Sequence, residues 1–247
     1  MAGAPTSMQN RSVSAMARPK VILFGDSITQ FSFDEAGWGA ALANHLQRKC
    51  DVIIRGFSGY NTAWARLILE RCIPKGSMED VALVTVFFGG NDAALKERNS
   101  GQHVPLDDYR SNLKAIVQYL LEAGLAANRV ILITPPPLGE EAWAASCMER
   151  FGKPLDRSNA SAGLYAKACQ SVATELATGC LNLWTLMQED KDWHRFLADG
   201  LHFSADGSRF VTKHLIQRVD EVMGDLPVIL PDWKDVDPTH PEKTLAL

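Results

Sequence analysis

The chain has 247 residues, of which 46% are hydrophobic and 22% are charged, and its formal net charge is −4 at pH 7. This length and composition predict one large globular domain. Nucleic acids and anionic membrane surfaces need a concentrated basic face, and the chain has no run of Lys or Arg, so neither is an expected partner. No stretch approaches the roughly 20 apolar residues that span a bilayer, so we expect a soluble protein without a membrane span.

The two ends of the chain differ from the rest in composition. Residues 1–18 contain basic and hydroxyl residues but no acid, which weakly imitates a mitochondrial transit peptide. We interpret this stretch as a disordered leader, residues 19–226 as the domain, and residues 227–247 as a proline-containing tail. The five cysteines are unclustered and odd in number, which favours a reducing compartment. The expected location is therefore the cytoplasm, with mitochondria as the weak alternative.

Short apolar runs alternate with segments of helical period along the domain. The predicted strands are Val21–Phe24, Val52–Ile54, Val81–Phe88, Val130–Thr134 and Leu181–Leu183, and the helices between them are Trp38–Lys49, Thr62–Cys72, Leu106–Ala123 and Ala160–Ala177. Continuously apolar strands should be covered on both faces. The order therefore predicts an α/β fold, a three-layer doubly wound parallel sheet of about five strands with helices on both faces. In such a sheet, ligands bind at the carboxyl ends of the strands.

The stretch FGDSITQF, residues 24–31, places Ser27 directly after the first predicted strand. Three interpretations compete for this serine: a helix N-cap, part of a phosphate-binding loop, or a nucleophile. A nucleophilic serine needs an aligned base, and ADGLHFSADG, residues 198–207, contains Asp199 three positions before His202. That spacing lets a carboxylate fix the imidazole so that its other nitrogen acts as the base.

Two further loops offer donors for an oxyanion. Asn91 follows the third strand in FFGGNDAAL, and Gly59 follows the second strand in RGFSGYNT. Acyl transfer passes through a tetrahedral oxyanion that needs preorganised donors, and both an Asn amide and a backbone N–H serve that purpose. Taken singly, Gly59 and Asn91 are as typical of tight turns as of a catalytic site.

Together these stretches resemble the four blocks of the SGNH (GDSL) hydrolases, in order and spacing. The blocks are GDSIT at 25–29, SG at 58–59, GGND at 89–92 and DGLH at 199–202, and the longer runs FGDSITQFS, RGFSGYNT and LWTLMQ resemble the isoamyl acetate-hydrolysing esterase subfamily. The resemblance implies a flavodoxin-like SGNH hydrolase fold. It also implies that Ser27 is the nucleophile and that His202 is a base oriented by Asp199. The implied oxyanion hole combines the backbone N–H groups of Ser27 and Gly59 with the Asn91 side chain.

The expected activity is serine-dependent hydrolysis of small carboxylic esters through an acyl-enzyme, with acetate esters indicated by the subfamily resemblance. Sugar deacetylation and acyl transfer would use the same site, and a flavodoxin-like phosphate-binding protein or a partner-binding scaffold are the alternatives from other classes. We expect no metal and no organic cofactor, because the serine mechanism requires neither, and the six histidines agree since they lack metal-ligand spacing. The resemblance allows a homodimer, which nothing in the helical periodicity demonstrates.

Aromatic residues near the first two loops are candidates for the substrate pocket, namely Phe31, Trp38 and Trp64. The segment from Pro135 to Leu155 is interpreted as a long connection that forms a partial lid and contributes Trp143 to substrate binding. Structural roles are expected for two acids beside the proposed site, Asp26 and Asp92, and a surface or packing role for His194.

Overall fold

The computed structural model describes residues 18–245, and its centre is a five-stranded parallel sheet of order β2-β1-β3-β4-β5. The strands are β1 Lys20–Gly25, β2 Asp51–Gly56, β3 Val81–Phe87, β4 Val130–Ile133 and β5 Gly179–Leu181. The helices are α1 Ser27–Gln30, α2 Trp38–His45, α3 Thr62–Cys72, α4 Leu106–Glu122, α5 Glu140–Phe151, α6 Asn159–Glu175, α7 Leu183–Gln188, α8 Ala205–Met223 and α9 Pro241–Leu245. The predicted α/β fold class is confirmed.

Helices cover both faces of the sheet because successive side chains of each buried strand point to opposite sides. In β1, Ile22 and Phe24 join one hydrophobic core with residues of α3, α4 and α6. Val21 and Leu23 join a second core with residues of α2, α7 and α8. The sheet therefore lies between two apolar layers, which explains why its strands are continuously apolar in sequence.

Apart from shifted ends such as that of α2, which stops at His45 rather than Lys49, the structure differs from the sequence prediction in two elements. The fifth strand ends at Leu181 rather than Leu183, because the side chain of Asn182 accepts a hydrogen bond from the Thr185 backbone N–H and starts α7. The predicted connection Pro135–Leu155 contains the 12-residue helix α5. Two glutamates occupy its first turn, where the helix dipole favours negative charge, and Gly152 ends it with a φ of 62°.

The structure describes little of the predicted leader and most of the predicted tail. Residues 1–17 of the predicted leader lie outside the described residues, and Arg18 bonds the Asp51 carboxylate at 3.1 Å. In the tail, the backbone N–H of Ile229 donates to the Arg48 carbonyl at 2.6 Å. The Arg48 guanidinium in turn donates to the carbonyls of Leu230 and Pro231, each at 2.7 Å. This part of the tail is therefore packed against the domain. Within residues 18–245, no helix is both long and apolar enough to cross a membrane.

Candidate active site

Three neighbouring strands bring the predicted site loops to one edge of the sheet. In the ladder, Gly25 at the end of β1 lies opposite Gly56 of β2 and Phe87 of β3. The chain therefore leaves all three strands at the same level, and the loops that follow carry Ser27, Gly59 and Asn91. The parallel register alone accounts for the proximity of residues far apart in sequence.

Ser27 occupies the first position of the short helix α1, and its side chain is available for another partner. The N-cap is Asp26, whose Oδ1 accepts a hydrogen bond from the Ile28 backbone N–H at 3.0 Å. The N-cap interpretation of Ser27 is therefore wrong, and the predicted structural role of Asp26 is confirmed. Ser27 Oγ instead lies 2.9 Å from Nε2 of His202.

Asp199 and His202 face each other in the turn before α8. Nδ1 of His202 lies 2.8 Å from Oδ2 of Asp199, and Oδ1 of Asp199 accepts the backbone N–H groups of Leu201 and His202. A carboxylate only accepts hydrogen bonds, so Nδ1 carries the imidazole proton and Nε2 is left to accept from the Ser27 hydroxyl. Sequence reasoning predicted this alignment from the spacing of three residues.

The Asp199 carboxylate is held in its charged form. Burial alone would raise its pKa, but the hydrogen bonds from the side chain and backbone of His202 outweigh that cost and lower the pKa to about 2. Arg150, at the end of α5, also donates to Oδ2 of Asp199 at 3.1 Å. At neutral pH this site therefore pairs a fixed negative charge with the imidazole.

The three candidate oxyanion donors open toward the same space. Among residues 18–245, the backbone N–H groups of Ser27 and Gly59 have no hydrogen-bond acceptor. Gly59 has a φ of +80°, in the left-handed region that favours glycine. Nδ2 of Asn91 donates one proton to the Tyr60 carbonyl at 2.9 Å, and its oxygen accepts from Arg157 at 2.9 Å. The second amide proton of Asn91 is left for a ligand.

A cleft of about 330 Å³ contains Ser27, Gly59, Asn91 and His202 in its wall. A neighbouring groove of about 560 Å³ is also lined by His202. The side chains of Trp143 and Phe151 contribute to both walls. The two recesses therefore meet at His202.

Two of the four aromatic residues predicted to bind substrate lie beside His202, at the cleft or the neighbouring groove. The ring of Phe31 is 44% exposed and its centroid is 6.4 Å from that of His202. Trp143 is buried, its ring centroid lies 6.1 Å from that of His202, and its indole N–H donates to Asp156 at 2.8 Å. Both rings therefore lie next to the imidazole of His202.

The other two aromatic residues lie elsewhere, which corrects the prediction. Trp38 is 1% exposed, packs against Phe87 in the core, and donates its indole N–H to the Ile28 carbonyl at 3.0 Å. Trp64 lies on α3 against Tyr60 and lines a separate groove. Trp38 starts a helix whose inner face packs on the sheet, so closeness in sequence to Ser27 did not bring it to the site.

The acid beside Asn91 has the structural role that the sequence predicted, although its partner is not its own backbone. Oδ1 of Asp92 accepts from both the backbone N–H and the hydroxyl of Thr62, which ties the loop after β3 to α3. Complete burial raises the pKa of Asp92 to about 7, although the Thr62 bonds oppose the shift. Burial likewise raises the pKa of Asp26 to about 6. His194 is exposed and stacks on Trp193, as expected of a surface residue.

Sequence reasoning missed Asp156 and Arg157, which follow α5. The side chain of Arg157 is 6% exposed and donates to Asn91, and Asp156 accepts from Trp143. No motif marks either residue. The available signal was an adjacent acid and base after a segment that begins with glutamates and ends at a glycine, which is typical of a helix followed by a packed turn. Among residues 18–245, no group of three or more His, Cys, Asp or Glu side chains could hold a metal ion.

Comparisons with known proteins agree with this geometry. Residues 23–210 match the model of the GDSL-like lipase/acylhydrolase family. The isoamyl acetate-hydrolyzing esterase 1 homolog of Rattus norvegicus is 53% identical over 234 residues, which cover 94% of each chain. A GDSL esterase/lipase of Arabidopsis thaliana is 46% identical and covers 93% of this chain and 98% of its own. The crystal structure of a lipase/acylhydrolase from Enterococcus faecalis aligns with a TM-score of 0.67 at 26% identity, covering 85% of this chain and 98% of that one.

Proposed function

Because the chain belongs to the GDSL-like lipase/acylhydrolase family and is a carboxylic-ester hydrolase, we propose that it cleaves small esters through an acyl-enzyme on Ser27. The observation that carries this proposal is the aligned chain of three groups. Ser27 Oγ lies 2.9 Å from His202 Nε2, and His202 Nδ1 lies 2.8 Å from Asp199 Oδ2.

In the first half of the cycle, Ser27 Oγ attacks the ester carbonyl carbon while Nε2 of His202 takes the hydroxyl proton. Asp199 holds the ring and stabilises the imidazolium that forms. When the tetrahedral intermediate collapses, the bond to the alcohol oxygen breaks and His202 returns the proton to that oxygen. The acyl group remains on Ser27 as an ester.

In the second half, water takes the place of the alcohol. His202 removes a proton from the water, whose oxygen attacks the acyl carbon, and the Ser27 oxygen leaves with the proton that His202 returns. Both halves develop negative charge on the carbonyl oxygen. The backbone N–H groups of Ser27 and Gly59 and the free amide proton of Asn91 would stabilise that charge.

Short acyl chains fit the proposal best. The cleft has a volume of about 330 Å³, and buried Trp143 and Leu201 contribute to its wall. The relative that is 53% identical is named for hydrolysis of isoamyl acetate, an ester of a two-carbon acid. We infer that this chain also prefers acetate esters of small apolar alcohols.

We also propose that the protein is cytoplasmic and forms a homodimer. All five cysteines lie in the described residues and are free, which supports the reducing cytoplasm predicted from the sequence. A homodimer is supported by large apolar side chains that remain exposed on α3, among them Leu67 at 75% exposure. Sedimentation velocity of the full chain would measure the oligomeric state.

The test is hydrolysis of p-nitrophenyl esters from acetate to octanoate by the wild type and by Ser27→Ala. The wild type should release an initial burst of nitrophenol equal to its active sites if deacylation is slower, and its kcat/KM should fall as the acyl chain lengthens. Ser27→Ala should lose at least about 10⁴-fold in kcat, because no nucleophile remains. Ser111→Ala, an exposed serine on α4, is the matched control and should keep full activity. Turnover by Ser27→Ala at the wild-type rate would refute the proposal.

A further inference from the structure

Arg157 is a buried cation beside the cleft, and all three nitrogens of its guanidinium donate hydrogen bonds. Nε donates to the Gly90 carbonyl at 3.0 Å, and Nη1 donates to both carboxylate oxygens of Asp156 at 2.7 and 2.8 Å. Nη2 donates to the side-chain oxygens of Asn91 at 2.9 Å and Gln102 at 2.8 Å. The catalytic cycle described above gives this residue no proton to move and no contact with the reacting atoms.

The chemistry of a guanidinium decides which way the Asn91 amide points. Arginine only donates hydrogen bonds, so the atom of Asn91 that faces Arg157 must be the oxygen. The amide nitrogen then faces the Tyr60 carbonyl at 2.9 Å and the cleft. A rotated amide would place its N–H groups against the guanidinium and its oxygen against the Tyr60 carbonyl, losing both hydrogen bonds. It would also present an oxygen to the developing oxyanion.

A second branch of the same network reaches Gly59. Because Oε1 of Gln102 accepts from Arg157, the Gln102 Nε2 is left to donate, and it does so to the Gly59 carbonyl at 3.0 Å. Asn99 supports this arrangement by donating to Gln102 at 2.8 Å and to Asp156 at 2.7 Å. Two of the three candidate oxyanion donors are therefore linked to one side chain.

The charge on Arg157 is itself stabilised inside the fold. Burial alone would raise the pKa of Asp156, but the Arg157 charge and the hydrogen bonds from Trp143 and Asn99 outweigh it and lower the pKa. The carboxylate stays ionised and offsets the buried cation. Trp143 of α5 thus bonds Asp156 on one side of the ion pair, and Arg157 bonds Gly90 and Asn91 on the other.

We propose that Arg157 is a positioning residue of the oxyanion hole, which orients the Asn91 amide directly and holds Gly59 through Gln102. The inference rests on the proposed function, since it assumes that Asn91 donates to the oxyanion. It predicts that Arg157 acts on the transition state and only through its neighbours. Loss of Arg157 should therefore reduce kcat with little effect on KM.

The experiment is a double-mutant cycle with Arg157→Lys and Asn91→Ala on p-nitrophenyl acetate. A lysine keeps a positive charge for Asp156, but one ammonium cannot bond Gly90, Asn91 and Gln102 as a planar guanidinium does. Arg157→Lys should lower kcat by about tenfold to a hundredfold and leave KM within about threefold. In the Asn91→Ala background the same substitution should cost less than about threefold, because the group it positions is already absent. Arg218→Lys, an exposed arginine paired with Glu221, is the control and should change nothing.

The outcomes separate this inference from the proposed function. Equal losses in both backgrounds would overturn the positioning role, as would an unchanged kcat in Arg157→Lys. An inactive Ser27→Ala beside either result would leave the acyl-enzyme proposal standing. If Arg157→Lys does not fold, as judged by circular dichroism, the wild type supplies the test by nuclear magnetic resonance. With a trifluoromethyl ketone bound, one Asn91 amide proton should shift while the proton bonded to Tyr60 does not. If both Asn91 amide protons shifted, with positions averaged over two orientations of the amide, the amide would be rotating freely and the proposal would be overturned.

Discussion

Two regions meet across the cleft, and they are built in different ways. The strand-end region consists of the loops that carry Ser27, Gly59 and Asn91, each within a few residues of the end of a strand. The covering segment, residues 139–157, contains α5 and the Asp156–Arg157 pair and contributes no strand. Sheet register places the first region, whereas side-chain hydrogen bonds connect the second to the site. The sheet thus sets where the candidate catalytic groups lie, and the covering segment lines the cleft and bonds the Asn91 side chain.

The covering segment is docked closely on the loop that contains Asp199 and His202. The Gly139 backbone N–H donates to the Gly200 carbonyl at 2.8 Å. Gly200 has a φ of +91°, and a Cβ there would lie 2.4 Å from the Gly139 carbonyl oxygen. Only glycine allows this approach. A displacement of α5 would therefore move the loop of the proposed base and its carboxylate.

After the loss of the nucleophile in Ser27→Ala, the largest effect in this comparison is expected in the strand-end region, from Asn91→Ala. Removal of the proposed oxyanion donor should lower kcat by about 10²–10³, while KM changes little, because the amide acts on the transition state. Steady-state kinetics on p-nitrophenyl acetate measure both constants. The change also leaves the Tyr60 carbonyl without a side-chain donor, so thermal denaturation should show a modest loss of stability.

The control for this prediction is Asn44→Ala, an exposed asparagine on α2. It should keep the wild-type kcat. A folded Asn91→Ala protein whose kcat falls by less than about threefold would contradict the oxyanion role, because one donor should supply more than that. Asn91 would then be a turn residue with an unusual set of partners.

A smaller effect is expected from Trp143, which lines the cleft from the covering segment, and it should appear in KM rather than in kcat. Trp143→Phe keeps an aromatic ring beside His202 but removes the hydrogen bond to Asp156. We expect KM for p-nitrophenyl acetate to rise by about threefold to tenfold with kcat nearly unchanged, because this wall contacts the substrate rather than the reacting atoms. Trp233→Phe, which replaces a tryptophan that is 78% exposed in the tail, is the control. A fall in kcat at constant KM would instead place Trp143 beside Arg157 among the residues that position the proposed oxyanion donors.

The same contrast explains what the sequence could reveal. Ser27, Gly59 and Asn91 were identifiable because a polar residue or glycine that closely follows an apolar parallel strand lies at the carboxyl edge of the sheet. Asp199 and His202 were identifiable because their spacing is short enough to form a turn. In each case the geometry depends on residues that are close in sequence, so a short stretch of sequence is enough to predict it.

The covering segment was harder to predict because its contacts are not local. Arg157 reaches Asn91 across 66 positions of sequence, and no periodicity connects them. Trp38 and Phe31 both follow Ser27 closely in sequence, yet Trp38 enters the core and Phe31 lines the groove beside His202. Helix α5 was predictable in principle from its terminal glutamates and Gly152, but the proline run before it favoured a loop.

The smallest effect on catalysis is expected from Asp92→Asn, which tests the support beneath the strand-end region. Burial raises the pKa of Asp92 from 3.8 to about 7, so the folded state retains a proton that the unfolded chain releases. Stability from this group is therefore fully present below about pH 4 and is lost as the pH rises to about 7. An asparagine cannot ionise, so the variant should lose less stability than the wild type between pH 5 and pH 8. Urea unfolding of both proteins at the two pH values measures the difference.

Asp26 lies beneath the same loops, and burial raises its pKa to about 6, so part of the pH dependence should remain in Asp92→Asn. The kcat of the variant should stay within about threefold of the wild type, since Asp92 bonds Thr62 rather than a group that meets the substrate. An equal loss of stability in both proteins would show that Asp92 is ionised throughout. A large fall in kcat with an unchanged unfolding midpoint would instead place Asp92 among the groups that position Asn91, and the strand-end region would then depend on a buried acid as well as on sheet register.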